Sequence, residues 1–249
     1  MAEEPIALSR LCVPFTPFRG RLEDAVVCLV TTAGIRLAGD PPYAEEDLGH
    51  RAVPGSTPAA DLAVDGARYD TACAEADRNC VFPIDRLREL AAERRIGGLT
   101  GLHFGTAYTP AFRDFAAATA PRVARAVAAE RPQAVVLTAG CRACHRTAAA
   151  LQRAVEMTGI PTVAITVEPE ETAQARAPRA LCPEGFAAGS PLGRPGDAAL
   201  QRRILLDALD PALLRGRPVA PRLPPHALAA DRRGRRNRAP REPGDPRRH

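Results

Sequence analysis

The sequence predicts a three-layer α/β fold in which a mainly parallel sheet carries helices on both faces. Three observations predict it: short apolar strands, amphipathic helices between them, and a strand–helix–strand unit over residues 133–166. A unit of about 30 residues with this order is typical of parallel strands joined by a crossover helix. A chain of 249 residues is also long enough to bury the core of one large α/β domain.

The first half of the chain contains a strand, a long polar stretch, a helix and a second strand. Residues 24–32 form a continuous apolar run, which is typical of a buried strand. The polar stretch 39–78 predicts a long loop, and loops of this length are usually functional. Residues 84–94 have the apolar spacing of a helix, with Pro83 at its start. Residues 99–106 predict a short strand.

The second half is dominated by helices around the strand–helix–strand unit. Residues 111–130 predict an Ala-rich helix that breaks or restarts at Pro121. A later helix over residues 198–209 begins after Asp197, whose side chain is suited to cap it. In the strand–helix–strand unit, the first strand is predicted over residues 133–138, the helix over 146–157 and the second strand over 160–166.

Composition divides the chain into three segments: a Pro-rich lead-in over 1–20, one α/β domain over 21–212, and an Arg/Pro-rich tail over 213–249. Residues 221–249 contain nine arginines and three acidic residues, so the net charge of +5 arises in the tail and the rest of the chain is nearly neutral. The tail is poor in apolar residues, which predicts disorder. It lacks aromatic residues for base stacking, so we expect no specific nucleic-acid partner.

Two features predict a cytoplasmic protein without a membrane partner. No apolar run approaches the roughly 20 residues that span a bilayer. The acidic N-terminus does not have the basic-then-apolar pattern of a secretory signal. The seven cysteines are an odd number in a long chain, which favours reduced thiols over a framework of disulfides.

The motif that carries most chemistry is TAGCRACHR at 138–146, which contains Cys141 and Cys144. It lies between a predicted strand and a predicted helix, and a helix N-terminus stabilises a thiolate. His145 and Arg146 would add positive charge nearby. We therefore expect Cys141 to be a nucleophile and Cys144 to resolve the mixed disulfide.

Cys-x-x-Cys spacing also permits other interpretations. Followed by His, it is the attachment motif of c-type haem, but that requires export. Zinc could use Cys141, Cys144 and His145 if another cysteine folded over them, although no second Cys-x-x-Cys closes a structural site. Two inert buried thiols remain the simplest alternative.

Several further motifs together resemble the selenoprotein B family. This family includes component B of the glycine, sarcosine and betaine reductases and the selenoprotein subunit of D-proline reductase. The resemblance covers about residues 22–210. It rests on TAGCRACHR at 138–146 and on these runs: LVTTAGI at 29–35, GDPPY at 39–43, RAVPG at 51–55, YD at 69–70, DRN at 77–79, FPIDRL at 82–87, GIPTV at 159–163 and PLGRPG at 191–196.

The resemblance implies a thiol-dependent oxidoreductase that reductively cleaves a bond, typically carbon–nitrogen, of a small amino-acid-like substrate. Cys141 aligns with the selenocysteine that attacks in the best-known members. The flanks of Tyr69 and Asp70 also depart from the family, because histidines are expected there. The resemblance further implies an external dithiol or thioredoxin-like reductant in place of a tightly bound cofactor, and a partner subunit in a reductase complex.

The loops 31–43, 50–55, 67–80 and 190–197 are expected to form the substrate pocket, with no metal. Arg51 and Arg194 are candidates for a substrate carboxylate, because a guanidinium grips a carboxylate at two points. The full set of side chains predicted to bind substrate is Thr31, Thr32, Arg51, Tyr69, Asp70, His103, His145 and Arg194. The rival hypotheses are a non-catalytic metal-binding or redox-sensing subunit that uses the same cysteines, and a scaffold for a catalytic partner.

Overall fold

The structure, a computed structural model, describes residues 13–44, 46–66 and 68–216. The strands are β1 (Val26–Thr31), β2 (Ile35–Leu37), β3 (Arg51–Pro54), β4 (Leu62–Val64), β5 (Gly98–Leu99), β6 (Leu102–Gly105), β7 (Ala134–Thr138), β8 (Thr162–Ile165) and β9 (Ala180–Leu181). The helices are α1 (Ala72–Ala76), α2 (Ile84–Ala92), α3 (Phe112–Asp114), α4 (Ala120–Ala129), α5 (Cys144–Glu156), α6 (Pro169–Gln174), α7 (Ala198–Ala208) and α8 (Pro211–Arg215).

The main sheet has the strand order β3-β6-β1-β7-β8-β9, with β5 also paired to β1. All of its neighbouring strands are parallel except β3, which runs antiparallel to β6. Strands β2 and β4 form a separate antiparallel pair. The predicted mainly parallel sheet is therefore confirmed.

Side chains of β1 alternate between two hydrophobic cores on opposite faces of the sheet. Val27 and Leu29 pack in one core with residues of α2 and α7. Cys28 and Val30 pack in the other core with residues of α4 and α5. Because successive strand residues point to opposite faces, this alternation places helices on both sides of the sheet. The predicted three-layer arrangement is confirmed.

The predicted strand–helix–strand unit is present as β7, α5 and β8. The two strands pair in parallel, with Val136 opposite Val163. The helix begins at Cys144, two residues before the predicted start. The predicted cap of α7 is also present, because the Asp197 carboxylate accepts the Leu200 N–H at 3.1 Å. The break near Pro121 corresponds to a π-helical segment that ends at Thr119, one residue before α4.

The stretch predicted as one loop over residues 39–78 contains β3, β4 and α1. These elements have three to five residues each. They are too short to show a period of apolar residues, and β3 ends in Pro54, which normally argues against a strand. Pro54 is tolerated because β3 lies at the edge of the sheet.

One buried guanidinium joins the two ends of the described chain. Arg179 forms an ion pair of 2.9 Å with Glu156, and both side chains are almost fully buried. The same guanidinium donates to the carbonyls of Thr16 and Leu214 at 2.7 and 2.8 Å. Residues 13–18 and α8 are thereby fixed to the body of the domain.

The two terminal segments predicted from composition, 1–20 and 213–249, lie partly outside the described residues. Residues 1–12 of the lead-in and 217–249 of the Arg/Pro-rich tail lie beyond them. In the described part of the chain, no helix combines the length and the apolar character that crossing a membrane requires.

The buried pair predicts a large loss of stability when one partner is neutralised. Glu156→Gln leaves the Arg179 charge buried without its counter-ion, which should cost about 3–5 kcal/mol in the free energy of unfolding. Glu93→Gln is the matched control, because Glu93 is paired with Arg202 at the surface and an exposed pair contributes only about 0–1 kcal/mol. Urea denaturation followed by circular dichroism measures both values, and equal losses would contradict this account of the pair.

Candidate active site

The site is centred on a disulfide between Cys141 and Cys144. The two sulfurs are bonded at 2.04 Å, and the Cα atoms lie 4.9 Å apart. Both residues are 1% exposed and pack with Ala139 and Ala148 in a small apolar cluster. The pair occupies the connection from β7 to α5, at the carboxyl end of a central strand, where ligands usually bind in parallel sheets.

The start of α5 directs a backbone donor at the sulfur of Cys141. The Cys144 N–H lies 3.0 Å from Cys141 Sγ. The first N–H groups of a helix have no partner within the helix and form the positive end of its dipole. Backbone donors at a helix N-terminus are a common feature of Cys-x-x-Cys motifs.

Thr32 fixes the position of Cys144 from the neighbouring strand. Its hydroxyl donates to the Cys144 carbonyl at 2.9 Å, and its N–H donates to the Thr138 carbonyl at 3.0 Å. Thr31 is fully buried beside it, and its hydroxyl lies 2.8 Å from that of Thr138 and 3.2 Å from the Val81 carbonyl. Of the two threonines predicted to bind substrate, Thr32 thus contacts the cysteine pair, with its side-chain hydroxyl on the backbone carbonyl of Cys144.

An open cleft of about 280 Å³ lies beside the disulfide. It is lined by Arg68, Tyr108, Cys141, Arg142, Ala143, Arg146 and Glu171. Cys141 belongs to this lining and Cys144 does not. Of the two cysteines, only Cys141 therefore borders the cleft, although its residue surface is almost fully buried.

The cleft lining is rich in positive charge. Glu171 is its one acidic member against three arginines. Its carboxylate lies 3.0 Å from Nε of Arg142 and 2.5 Å from Nε of Arg146. Desolvation opposes ionisation of Glu171, but the hydrogen bonds from both arginines hold its pKa below the usual value. Arg68 stacks over the ring of Tyr108, with 5.1 Å between its Cζ and the ring centroid.

Tyr69 packs against the turn that contains Gly140 and Cys141. Its hydroxyl donates to the Ala33 carbonyl at 2.7 Å, and burial raises the pKa of this phenol well above its usual value. The ring lies against Gly140, where an added Cβ would come within 2.5 Å of Tyr69 Cε1. Gly189 packs on the other part of the ring, and its N–H donates to the Gly140 carbonyl at 2.7 Å. Neighbouring Asp70 is exposed and accepts the Ala72 N–H at the start of α1.

The two predicted histidines are buried outside the cleft lining. His103 is in β6, where Nδ1 accepts the Leu29 N–H at 3.0 Å. His145 follows Cys144 in α5, with Nδ1 at 2.9 Å from the Thr166 hydroxyl. Burial lowers the pKa of each imidazole to about 4. Both rings are therefore neutral at pH 7, and His145 does not supply the positive charge expected beside the cysteines.

The two arginines predicted to hold a carboxylate do not line the cleft. Arg51 lies on the edge strand β3, pairs with Asp47 at 3.0 Å and stacks over the ring of Tyr43. Arg194 is exposed in the loop before α7, where its carbonyl accepts from Gln201. The arginines that line the cleft are Arg68, Arg142 and Arg146.

Sequence comparison places this geometry in a family. The family described as glycine/sarcosine/betaine reductase selenoprotein B matches residues 10–140, which is just over half of the chain. The chain belongs to the selenoprotein B family. The match ends one residue before Cys141, so it covers the sheet strands leading to the turn and stops short of the cysteine pair.

Curated relatives of this selenoprotein B family member are reductase subunits. The D-proline reductase subunit gamma of Acetoanaerobium sticklandii is 36% identical over 78% of this chain and 81% of its own length. The glycine reductase complex component B subunit gamma of Carboxydothermus hydrogenoformans is 30% identical over 79% of this chain, and that of Symbiobacterium thermophilum is 28% identical over 79%. The chain spans about half the length of these two. No solved structure is significantly similar to it.

Sequence reasoning missed five residues that line the cleft of this family member: Arg68, Tyr108, Arg142, Ala143 and Glu171. Arg142 and Ala143 lie between the two cysteines of the motif. Tyr108 follows the end of β6, and Glu171 lies in the helix after β8. Both strands end at the ligand-binding edge of a parallel sheet, so this rule could have indicated them. Arg68 carried no such signal, because it comes from the stretch that the sequence presented as an irregular loop.

The other described cysteines do not join the disulfide pair. Cys28, Cys80 and Cys182 are buried free thiols, and Cys73 is half-buried. Burial raises the pKa of the Cys28 and Cys80 thiols to about 12. Among the described residues, no three His, Cys, Asp or Glu side chains are grouped so as to hold a metal ion.

The contact between Gly140 and Tyr69 predicts a coupled effect on stability. Gly140→Ala should lower the free energy of unfolding by about 1–3 kcal/mol, because the new methyl group overlaps the Tyr69 ring. In a Tyr69→Ala background, the same change should cost under about 0.5 kcal/mol. Gly98→Ala is the control, since a Cβ there meets no atom within 4 Å. Urea denaturation of the single and double variants tests this coupling, and additive losses would refute it.

Proposed function

We propose that this chain is the thiol-bearing subunit of a reductase complex that cleaves a carbon–nitrogen bond of a small amino-acid-like substrate. The observation that carries this proposal is the placement of Cys141 in a cationic cleft while it is bonded to Cys144 behind it. The names of the relatives support the reductase class, because they are subunits of D-proline and glycine reductases.

The proposed reaction begins with attack by the Cys141 thiolate on the substrate carbon that bears the nitrogen. A sulfur–carbon bond forms, the carbon–nitrogen bond breaks, and the nitrogen leaves with its electron pair and takes a proton. Cys144 then attacks the sulfur of Cys141, so that the disulfide forms while the carbon leaves with an electron pair and is protonated. The dithiol has lost two electrons and the substrate has gained them.

Two partners complete the proposed cycle. An external dithiol or thioredoxin-like protein reduces the disulfide by thiol–disulfide exchange. A second subunit activates the nitrogen of the substrate, because an unactivated amine is a poor leaving group. We also propose the cytoplasm as the compartment, since Cys28, Cys73, Cys80 and Cys182 are free thiols and reducing compartments preserve thiols.

A second candidate function is a redox-sensing subunit without catalysis of its own. The near-complete burial of Cys141 and Cys144 favours it, because little of either residue is accessible to a substrate. In that case the disulfide would form and break without any substrate bond being cleaved.

Thiol labelling tests the proposed roles of the cysteines. After reduction, iodoacetamide should modify Cys141 first, with an apparent pKa well below about 8.5. Cys28 and Cys80 should react slowly, because their raised pKa keeps them as thiols at neutral pH. Peptide mass spectrometry across pH 5 to about 10 gives the rate for each residue. A Cys141 that reacts no faster than Cys80 would exclude it as the attacking thiolate.

Activity of the assembled complex separates reductase from sensor. Cys141→Ser should abolish turnover, and Cys144→Ser should leave a substrate-derived adduct on Cys141 that mass spectrometry detects. Cys73→Ser is the matched control, because Cys73 lies outside the cleft lining and should retain turnover. Full activity of the Cys141→Ser complex would refute the catalytic role and favour a scaffold or sensor.

A further inference from the structure

In the cleft, the carboxylate of Glu171 is shared by two arginines. Glu171 bridges two guanidiniums, with Oε1 at 3.0 Å from Arg142 Nε and Oε2 at 2.5 Å from Arg146 Nε. In sequence, Arg142 lies between the two cysteines and Arg146 lies two residues after them, and both arginines line the cleft together with Cys141. A carboxylate gripped in this way is the arrangement that arginines adopt around a bound carboxylate ligand.

Glu171 is less exposed than Arg142 and Arg146. Because solvent reaches both arginines, another carboxylate can also reach them. The side chain of Glu171 is 13% exposed, whereas those of Arg142 and Arg146 are 66% and 48% exposed. A guanidinium has five N–H donors, and the contacts to Glu171 use only the Nε of each. Ion pairs that solvent reaches are weak, so a competing carboxylate can replace Glu171 without a large loss of free energy.

Two neighbouring groups also contact the arginines and offset only part of their positive charge. Glu168 lies 3.7 Å from Arg142 Nε, which is a longer contact than that of Glu171. Gln174 accepts from Arg146 at 3.4 Å and carries no charge. The arginines therefore remain positioned at the mouth of the cleft when Glu171 moves away.

We propose that Glu171 is a specificity-determining residue, an internal carboxylate that occupies Arg142 and Arg146 in the empty cleft and gives them up to the carboxylate of a ligand. This inference rests on the proposed function, since the ligand is then the amino-acid-like substrate of Cys141. Exchange places the ligand carboxylate on the arginines and the adjacent carbon toward the sulfur. Neutral analogues gain nothing from the exchange and are disfavoured.

A pair of alkylating reagents measures this preference at Cys141 itself. Iodoacetate carries a carboxylate and iodoacetamide does not, yet both react by forming a sulfur–carbon bond and releasing iodide. The ratio of their rates at Cys141 in the reduced protein is independent of the thiolate fraction, which affects both equally. Peptide mass spectrometry gives the ratio for Cys141 and, as an internal reference, for Cys73.

Substitutions of Glu171 and of Arg142 should change the ratio of the iodoacetate rate to the iodoacetamide rate at Cys141 in opposite directions. Glu171→Gln removes the competing charge and should raise the iodoacetate preference about threefold, whereas Arg142→Gln should lower it about threefold. Glu171→Asp keeps the charge and should stay within about twofold of the parent. Glu93→Gln removes a surface carboxylate outside the cleft lining and should have no effect. An unchanged ratio in Glu171→Gln and Arg142→Gln would overturn the proposal.

A second measurement does not depend on cysteine reactivity. The side-chain Nε–H resonances of Arg142 and Arg146, assigned with Arg→Lys variants, should shift when propionate is added and stay fixed with propionamide. Absence of a propionate shift would overturn the anion site even if Cys141 is reactive. Conversely, a Cys141 that neither reagent alkylates would overturn the proposed reductase chemistry, while the propionate shift would still support the site.

Discussion

The N–H of Cys144 reaches the sulfur of Cys141 because residues 139–143 form a short turn between a central strand and a helix. This turn is held on both sides. Thr32, the residue after β1, donates its hydroxyl to the Cys144 carbonyl, and the Tyr69 ring packs against Gly140. The position of the sulfur is therefore set by the parallel pairing of β1 with β7, which aligns Thr31 with Thr138.

The rest of the molecule keeps that pairing rigid. Two hydrophobic cores cover the faces of the sheet, and the buried pair of Arg179 and Glu156 fastens both ends of the described chain to it. The buried pair and the cleft differ in how far solvent reaches their arginines. The Arg179 charge is neutralised and buried, whereas Arg142 and Arg146 stay open to solvent at the cleft. The proposed exchange of Glu171 for a ligand carboxylate depends on this exposure of Arg142 and Arg146.

Much of the fold could be predicted because its central elements carry strong local patterns. The apolar runs of β1 and β7 and the helix α5 are long enough to show their periods. Strands of two to four residues, such as β3, β4 and β9, are too short for a periodic signal. Their pairing depends on neighbours far away in sequence, as with Arg51 opposite Gly105.

The candidate site could be predicted only as far as its motif. Cys-x-x-Cys between a strand and a helix indicated the disulfide pair, and the structure places it there. Residue type alone then suggested Arg51 and Arg194 for a carboxylate, but folding gives Arg51 a partner in Asp47. The arginines of the cleft converge from two separate segments, and Glu171 comes from a third. Convergence of this kind follows from tertiary packing, which no local pattern encodes.

The proposed function requires Cys141 and Cys144 to cycle between dithiol and disulfide. The most direct test of this claim is a redox titration, in which the protein is equilibrated in dithiothreitol buffers of defined potential and the disulfide peptide is quantified by mass spectrometry. A catalytic pair at a helix N-terminus should titrate with two electrons between about −180 and −270 mV. A pair that stays oxidised below about −300 mV, as structural disulfides do, or that never forms the disulfide, would contradict the claim.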